Sequence, residues 1–234
     1  MNVLAFDTCL GAVSAAIRWR GAGGAWQERG LREMRERGQA ERLMPMLADV
    51  MADAGLAFGD LERIAVTVGP GSFTGVRVGV AAARGLALAS GLPVVGATSL
   101  AVMMHQAVDL LGPALDQRVL AVAADARRGM VYLQLLASGA TSAGEATLLP
   151  LEDVAAVVGE RPVTIVGPAA QMTAAAVAAA GGDAKAALTD LQPDARALAR
   201  MAAGLAPASP PRPLYLRPPD VKPQAEHSLS RAPS

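Results

Sequence analysis

Short apolar runs that stop at a polar residue or a glycine alternate with longer stretches in which apolar residues recur three and four apart. Val3-Leu4-Ala5-Phe6 reads as a buried strand ending at Asp7, and Val13 to Ile17 as a second strand after a turn at Leu10-Gly11. Gly21 to Gly24 predicts another turn, and Ala25-Trp26-Gln27 the start of a third strand. Leu43, Leu47, Val50 and Ala54 fall at helical spacing, which predicts a helix from Ala40 to Ala54 stopped by Gly55. Ile64 to Val68 reads as a strand, Gly69 to Thr74 as a loop, Val76 to Ser90 as a helix of small residues, and Pro93-Val94-Val95 as the next strand.

The second half repeats the opening. Val119 to Ala124 predicts a strand ending at Asp125, followed by a turn at Arg127-Arg128-Gly129 and a strand from Met130 to Leu136. The spacing Asp-x-x-x-Gly-x-Val occurs at Asp7, Gly11 and Val13 and again at Asp125, Gly129 and Val131, in the same strand–turn–strand setting. A duplicated, two-lobed α/β chain is the architecture this implies. Val163 to Val166 predicts a further strand, with helices near Ala169–Ala180 and Asp194–Gly204. Tyr215 and Leu216 read as the last docked residues, and the polar, proline-bearing stretch from Pro218 as a flexible tail.

Composition narrows the chemistry. Hydrophobic residues make up 52% of the 234 and aromatics only 3%, so Ala, Val, Leu and Met must fill the core. The net charge is zero, which lacks the overall basic field of a stand-alone nucleic-acid binder while leaving room for a local patch. From Glu28 to Arg42, nine of fifteen residues are charged, which reads as a solvated loop or helix start. Between Ile64 and Val108 only Arg77 and Arg84 carry charge, so much of the buried core is expected there. The single Cys9 rules out an intramolecular disulfide and reads as a small buried hydrophobe. With only His105 and His227, a zinc or iron site on paired histidines is not expected. The opening residues lack the basic start of a signal peptide and no run of 18 apolar residues occurs, so a cytoplasmic chain without a membrane span is expected.

Three places can carry chemistry. Gly69-Pro70-Gly71-Ser72-Phe73-Thr74-Gly75-Val76-Arg77 joins a strand to a helix, with Ser72 or Thr74 available as cap. Such a loop can present helix amides to an anion; the plainer reading is a capped turn without ligand. Its spacing is not that of a Walker loop, and no histidine lies nearby in sequence to activate Ser72. Asp7 and Asp125 end equivalent strands, where carboxylates can hold magnesium or orient water, or simply close an Asx turn. On the helix from Ala40 to Ala54, Met44, Met46 and Met51 widen the apolar arc beyond what docking requires. They read either as deeper burial or as a second contact face beside the small-residue helix, whose Gly75, Gly79 and Ala83 recur every four residues.

At Gly69 to Arg77 the chain resembles the TsaB family. Ala5-Phe6-Asp7-Thr8, Glu41-Arg42-Leu43-Met44-Pro45, Asp125 to Tyr132, and Leu214-Tyr215-Leu216-Arg217 are similar to the family's other segments, so the resemblance runs from residue 1 to about 217. It implies a two-lobed, actin-like ATPase fold with duplicated mixed sheets: an N-terminal lobe over residues 1–104, a C-terminal lobe over 105–217 and a tail over 218–234. It also implies a subunit that is not itself the catalyst. Such a subunit works with a TsaD-type transferase, which places threonylcarbamoyl on adenosine 37 of tRNA, and with a TsaE-type ATPase. ATP would be used by the assembled complex, with no cofactor tightly bound here and tRNA met only through the complex. The family's partner contacts, including pairing with itself, would run through helices of the first lobe, with Met44, Met46, Met51, Gly75, Gly79 and Ala83 as candidates. Asp7, Thr8, Gly69, Gly71, Ser72, Thr74, Gly75, Arg77 and Asp125 would be loop or nucleotide contacts. Two departures stand out: Gln39 and Met130 occupy places where the family often has a His and a Glu. After Val94-Val95 this chain has Gly96-Ala97-Thr98-Ser99-Leu100, where TsaD-type proteins carry a histidine metal motif. The alternatives are a small-molecule kinase of the same fold, which would want a second Gly beside Gly167, and a glycoprotease-like peptidase.

Overall fold

The computed structural model describes residues 1–35, 37–115, 117–207 and 210–216. Its first half contains strands β1 (Val3–Asp7), β2 (Ala12–Arg20) and β3 (Trp26–Met34), helix α1 (Gln39–Ala54), strand β4 (Arg63–Thr67), helix α2 (Phe73–Ser90), strand β5 (Val94–Ala97) and helix α3 (Ser99–Leu111). The second half runs β6 (Val119–Asp125), β7 (Met130–Leu136), β8 (Thr147–Pro150), α4 (Val154–Val158), β9 (Val163–Val166), α5 (Ala170–Ala179), β10 (Ala184–Ala186) and α6 (Ala195–Met201).

The two halves build the same sheet. The first has strand order β3-β2-β1-β4-β5 and the second β8-β7-β6-β9-β10. In each, an antiparallel meander of three strands is extended by two parallel strands. This is the duplicated α/β arrangement that the Asp-x-x-x-Gly-x-Val repeat predicts, with the two mixed sheets that the family resemblance implies. Both copies of the repeat mark the tight turn between the first two strands of a sheet, where Asp7 opposes Ser14 and Asp125 opposes Val131.

Each sheet has an outer and an inner layer. On the first, Leu4, Phe6, Ile17 and Ile64 face α1 and α2, while Val3, Ala5, Ala16 and Ala65 face α6. On the second, Val131, Leu133 and Ile165 face α4 and α5, while Leu120, Val122 and Val166 face Leu100, Met103 and Met104 of α3. The lobes thus exchange helices: α3 comes from the first half and packs on the second sheet, and α6 does the reverse. Alanines on both α6 and its strands allow the close approach, since a sheet of bulky residues would hold the helix further out. The expected division at residues 104/105 therefore falls inside α3.

Two expectations are revised and a third is borne out with a qualification. The charged run from residue 28 is not a loop up to the helix; β3 continues to Met34, paired with β2 from Trp26↔Arg20 to Met34↔Ala12. An edge strand exposed on one side accommodates such charges, and charge on an edge also discourages pairing with other chains. The charge-poor stretch from Ile64 to Val108 does supply much of the core, as expected, although α2 leaves Phe73 at 45% and Leu88 at 89% exposure. The strands β8 and β10 and the helix α4 are additional. The tail over 218–234, with His227, lies outside the described residues. Among the described residues no helix is long and apolar enough to cross a membrane.

Candidate functional site

The loop between β4 and α2 is where the sequence is most unusual. Ser72 caps α2, its Oγ accepting the Gly75 N–H at 3.0 Å. Thr74, the other candidate cap, lies in the first helical turn. The close backbone approach that the glycines permit is taken by the protein itself. A Cβ on Gly71 would lie 2.1 Å from the Cys9 carbonyl oxygen, and one on Gly75 would lie 2.0 Å from that of Thr8. Gly69, at φ +105°, leaves its space to the Leu214 carbonyl. The joint is closed by hydrogen bonds. Ser72 N–H donates to Cys9 O at 2.7 Å, Thr8 Oγ1 to Gly75 O at 2.6 Å, and Leu214 N–H to Val68 O at 2.7 Å. Ser99 donates from its N–H to Gly69 O and from its Oγ to Pro70 O. The Gly69–Gly75 backbone is thus a seat for the Thr8–Cys9 turn and the C-terminal segment.

What the joint presents to solvent is an aromatic–arginine cluster. The Arg77 guanidinium lies 3.6 Å from the centre of the Phe73 ring and donates from Nε to the Tyr215 hydroxyl at 3.0 Å. The Phe73 and Tyr215 rings are 5.5 Å apart. Arg84, two turns further along α2, donates to Pro211 O and ties down the same C-terminal segment. Phe73 and Tyr215 were not among the sequence-level candidates. The signal was an aromatic four residues before an arginine on a helix face, which matters only once Tyr215 is brought over from the far end of the chain.

Asp7 and Asp125 end equivalent strands in opposite surroundings. Each accepts the N–H of the residue two places on: Asp7 Oδ1 from Cys9 at 3.1 Å and Asp125 Oδ1 from Arg127 at 2.7 Å. Both therefore close Asx turns. Asp125 is exposed and lies 3.5 Å from the Arg127 guanidinium. Asp7 is fully buried, also accepts from Thr67 Oγ1, and has no partner for Oδ2. Burial pushes its pKa up to about 6, the bonds from Thr67 and Cys9 pull it down, and Asp194 adds a small push upward. Burial also drives the Cys9 thiol up, with Asp7 adding to it, so Cys9 is a buried, protonated neighbour of Thr67 and not a nucleophile. No cluster of three metal-ligating side chains occurs among the described residues.

The remaining candidates fall mostly inside the lobe. Met46 and Met51, read as part of a contact face, are 0% and 3% exposed and belong to the core under α1 with Leu43, Leu47 and Val50. Only Met44, at 49%, reaches solvent. Gly75, Gly79 and Ala83, expected along an outer stripe, are buried. A Cβ on Gly79 would meet Thr8 Oγ1 at 2.7 Å, so the stripe fits α2 onto the first sheet and not onto another molecule. The geometric reason is that α1 packs on β2 and β3 with α2 beside it, so Met46 and Met51, on opposite edges of its stripe, both join the core. Gln39 is buried and donates to Arg35 O, and Met130 packs at the margin of the inter-lobe core. Met51→Glu is accordingly expected to cost about 3 kcal/mol or more through a buried unpaired charge. Met44→Glu should stay within about 0.5 kcal/mol of the parent. Urea unfolding of the two single variants separates them.

A groove of about 580 Å³ lies between α3, α6 and the residues 188–194. Three arginines and three aspartates line it, so its formal charge is zero; Asp194 lies 3.8 and 3.5 Å from Arg32 and Arg196, and Asp109 lies 3.8 Å from Arg200.

Comparison with known proteins follows the same lines. Residues 33–159 match the family model described as TsaD, tRNA N6-adenosine threonylcarbamoyltransferase. A protein of Mycobacterium tuberculosis, described as uncharacterized, is 36% identical over 230 residues, 96% of this chain and 95% of that one. The tRNA threonylcarbamoyladenosine biosynthesis protein TsaB of Escherichia coli is 40% identical over 132 residues, 56% of this chain and 53% of that protein. The chain thus spans about half the length of the curated TsaB relatives it matches. The structure of YeaZ from Pseudomonas aeruginosa superposes with a TM-score of 0.73 at 28% identity, covering 92% of this chain and 99% of that one. With the TsaD family model spanning more than half its length, TsaB relatives at 37–40% identity and the YeaZ fold shared over 92% of the chain, it belongs to the TsaD-related TsaB/YeaZ family.

Proposed function

We propose that this chain is a non-catalytic, cytoplasmic subunit of the machinery that places threonylcarbamoyl on adenosine 37 of tRNA, and that it supports a TsaD-type catalytic subunit. The observation that carries this reading is the state of the Gly69–Arg77 segment. Its inner side is filled by Thr8, Cys9 and Leu214, and its outer side offers Phe73, Arg77 and Tyr215 to solvent. A segment closed inside and open outside is built to bind a surface. Arg and aromatic side chains in contact are also the types that dominate binding energy at protein interfaces. Leu88, towards the other end of the same helix, and Met44 on α1 are further exposed apolar side chains of the first lobe. The TsaB name of the relatives and the TsaD description of the family model point to the TsaD-type paralogue as the partner.

A TsaE-type ATPase completes the assembly. ATP is consumed by the complex, with no nucleotide held tightly by this chain alone. Gly167, the single glycine at the place where a kinase of this fold would want two, supports that reading. Its φ is +103°, and a Cβ there would meet Ala123 O at 2.5 Å and the Met103 methyl at 2.8 Å, so its space is taken by protein. A homodimer through the first lobe would use the same surface and compete with the partner.

Arg77→Ala removes the guanidinium and with it the brace between Phe73 and Tyr215. Because Arg77 is exposed, the fold should persist while affinity for the TsaD-type subunit falls by about 2 kcal/mol, roughly thirtyfold. Co-elution titrations of the purified pair measure this. Unchanged affinity would place the interface elsewhere.

A further inference from the structure

Both tryptophans of the chain lie on the β2–β3 hairpin, and both lie against arginine. Trp26 is 42% exposed, with the guanidinium carbons of Arg18 and Arg20 at 4.2 and 4.6 Å from its ring centre. Arg29 lies 5.9 Å from the ring of Trp19, on the opposite face of the same hairpin. Among the described residues, none of these three arginines has a carboxylate within ion-pair distance. The nearby acid, Glu28, is held by Arg200 at 3.0 Å.

The local bonds do not exhaust these groups. Arg18 donates to Arg200 O at 3.5 Å, Arg20 to Gly24 O at 2.6 Å and Arg29 to Glu28 O at 3.1 Å. A guanidinium carries five N–H donors, so each keeps several for solvent or a partner. Stacking on the indole fixes the planes of Arg18 and Arg20, and an ordered guanidinium loses less entropy on binding. The turn beside them is almost bare of side chains. A Cβ on Gly23 or Gly24 would meet nothing within 4 Å, so a bulky partner can approach the arginines unobstructed.

We propose that this hairpin end is a direct contact for the phosphate backbone of tRNA, which makes the chain more than an indirect participant in tRNA recognition. The inference rests on the function proposed above. Unpaired arginines meet the charge requirement, and guanidinium planes held against an indole are themselves surfaces on which unstacked RNA bases pack. An acidic protein surface is the competing occupant, and the salt dependence of tRNA binding separates the two.

The test uses the complete complex with its catalytic subunit. Arg20→Ala with Trp26→Ala changes exposed side chains only, and Arg20→Glu alone provides a second variant should the first prove unstable. We expect tRNA affinity to fall about tenfold and the slope of log K against log salt to drop by about 1. Co-elution with the catalytic subunit and turnover at saturating tRNA should be unchanged. Wild-type affinity and salt slope in both variants overturn the proposal. So does loss of co-elution with the salt slope intact, which would assign the patch to an acidic protein. If the wild-type complex modifies tRNA but neither variant loses affinity, only this surface is overturned; a wild-type complex that neither binds nor modifies tRNA overturns the proposed function with it.

Discussion

Gly75→Ala, a change of one methyl group, is expected to destabilise the protein by about 3 kcal/mol or more, at the upper end of what overpacking costs. The added Cβ would sit 2.0 Å from the Thr8 carbonyl oxygen and 2.6 Å from Ser72 Oγ. The first is backbone at the end of β1, in the middle of the first sheet, and cannot rotate away. Relief requires α2 to lift off, which breaks the Thr8 Oγ1 to Gly75 O bond and the Ser72 cap together. Gly85→Ala on the exposed side of the same helix is the control. Nothing lies within 4 Å of a Cβ there, and alanine is the better helix former, so it should stabilise by a few tenths to about 1 kcal/mol. Thermal and urea unfolding of the two variants would show opposite signs.

The second large effect is a pH dependence centred on Asp7. In the folded protein its pKa is about 6, against 3.8 for the ordinary side chain. The folded state therefore holds this proton more tightly than the unfolded state. Stability from the group is fully present below about pH 3.8 and is lost as pH rises through about 6. The loss amounts to about 3 kcal/mol by neutral pH. Asp7→Asn keeps an oxygen for the Cys9 N–H and the Thr67 hydroxyl but cannot ionise. Whatever the variant's absolute stability, the difference between it and the parent should move in the variant's favour by about 2.5 kcal/mol from pH 4 to pH 8. Other titrating groups cancel in that difference. A gap that stays flat across this range would mean that Asp7 is solvated or paired in the folded state.

Asp7 and the glycine loop show which features of the molecule were legible in its sequence. The duplication was readable because a three-residue relation, Asp to Gly to Val across a tight turn, is local. It recurs wherever a strand must end and reverse at once. Helix α1 and its stop at Gly55 were readable from spacing alone. The long third strand was not, because the charges from Glu28 onward obscure the alternation that pairs it with β2. Met46 and Met51 were misplaced because a helical wheel shows the width of an apolar arc and not what covers its edges. The glycines of the loop identified close approach correctly but not the partner. That Thr8, Cys9 and Leu214 fill the space depends on contacts across 60 or more positions in the chain, beyond any local pattern. The Phe73–Arg77–Tyr215 cluster is of the same kind, with a 138-residue separation between Arg77 and Tyr215.

The central claim, a supporting subunit whose work depends on a partner, is most directly tested by reconstituted threonylcarbamoyl transfer to tRNA. The assay combines this chain and its TsaD-type partner, separately and together, with the ATPase subunit, ATP, threonylcarbamoyl-adenylate and a tRNA carrying adenosine 37. Modified nucleoside is read by mass spectrometry. The account predicts no product with this chain in place of the partner, little with the partner alone, and multiple turnover only with both, falling with Arg77→Ala in step with lost co-elution. Product formed by this chain without the partner, or full activity of the partner in its absence, would contradict it.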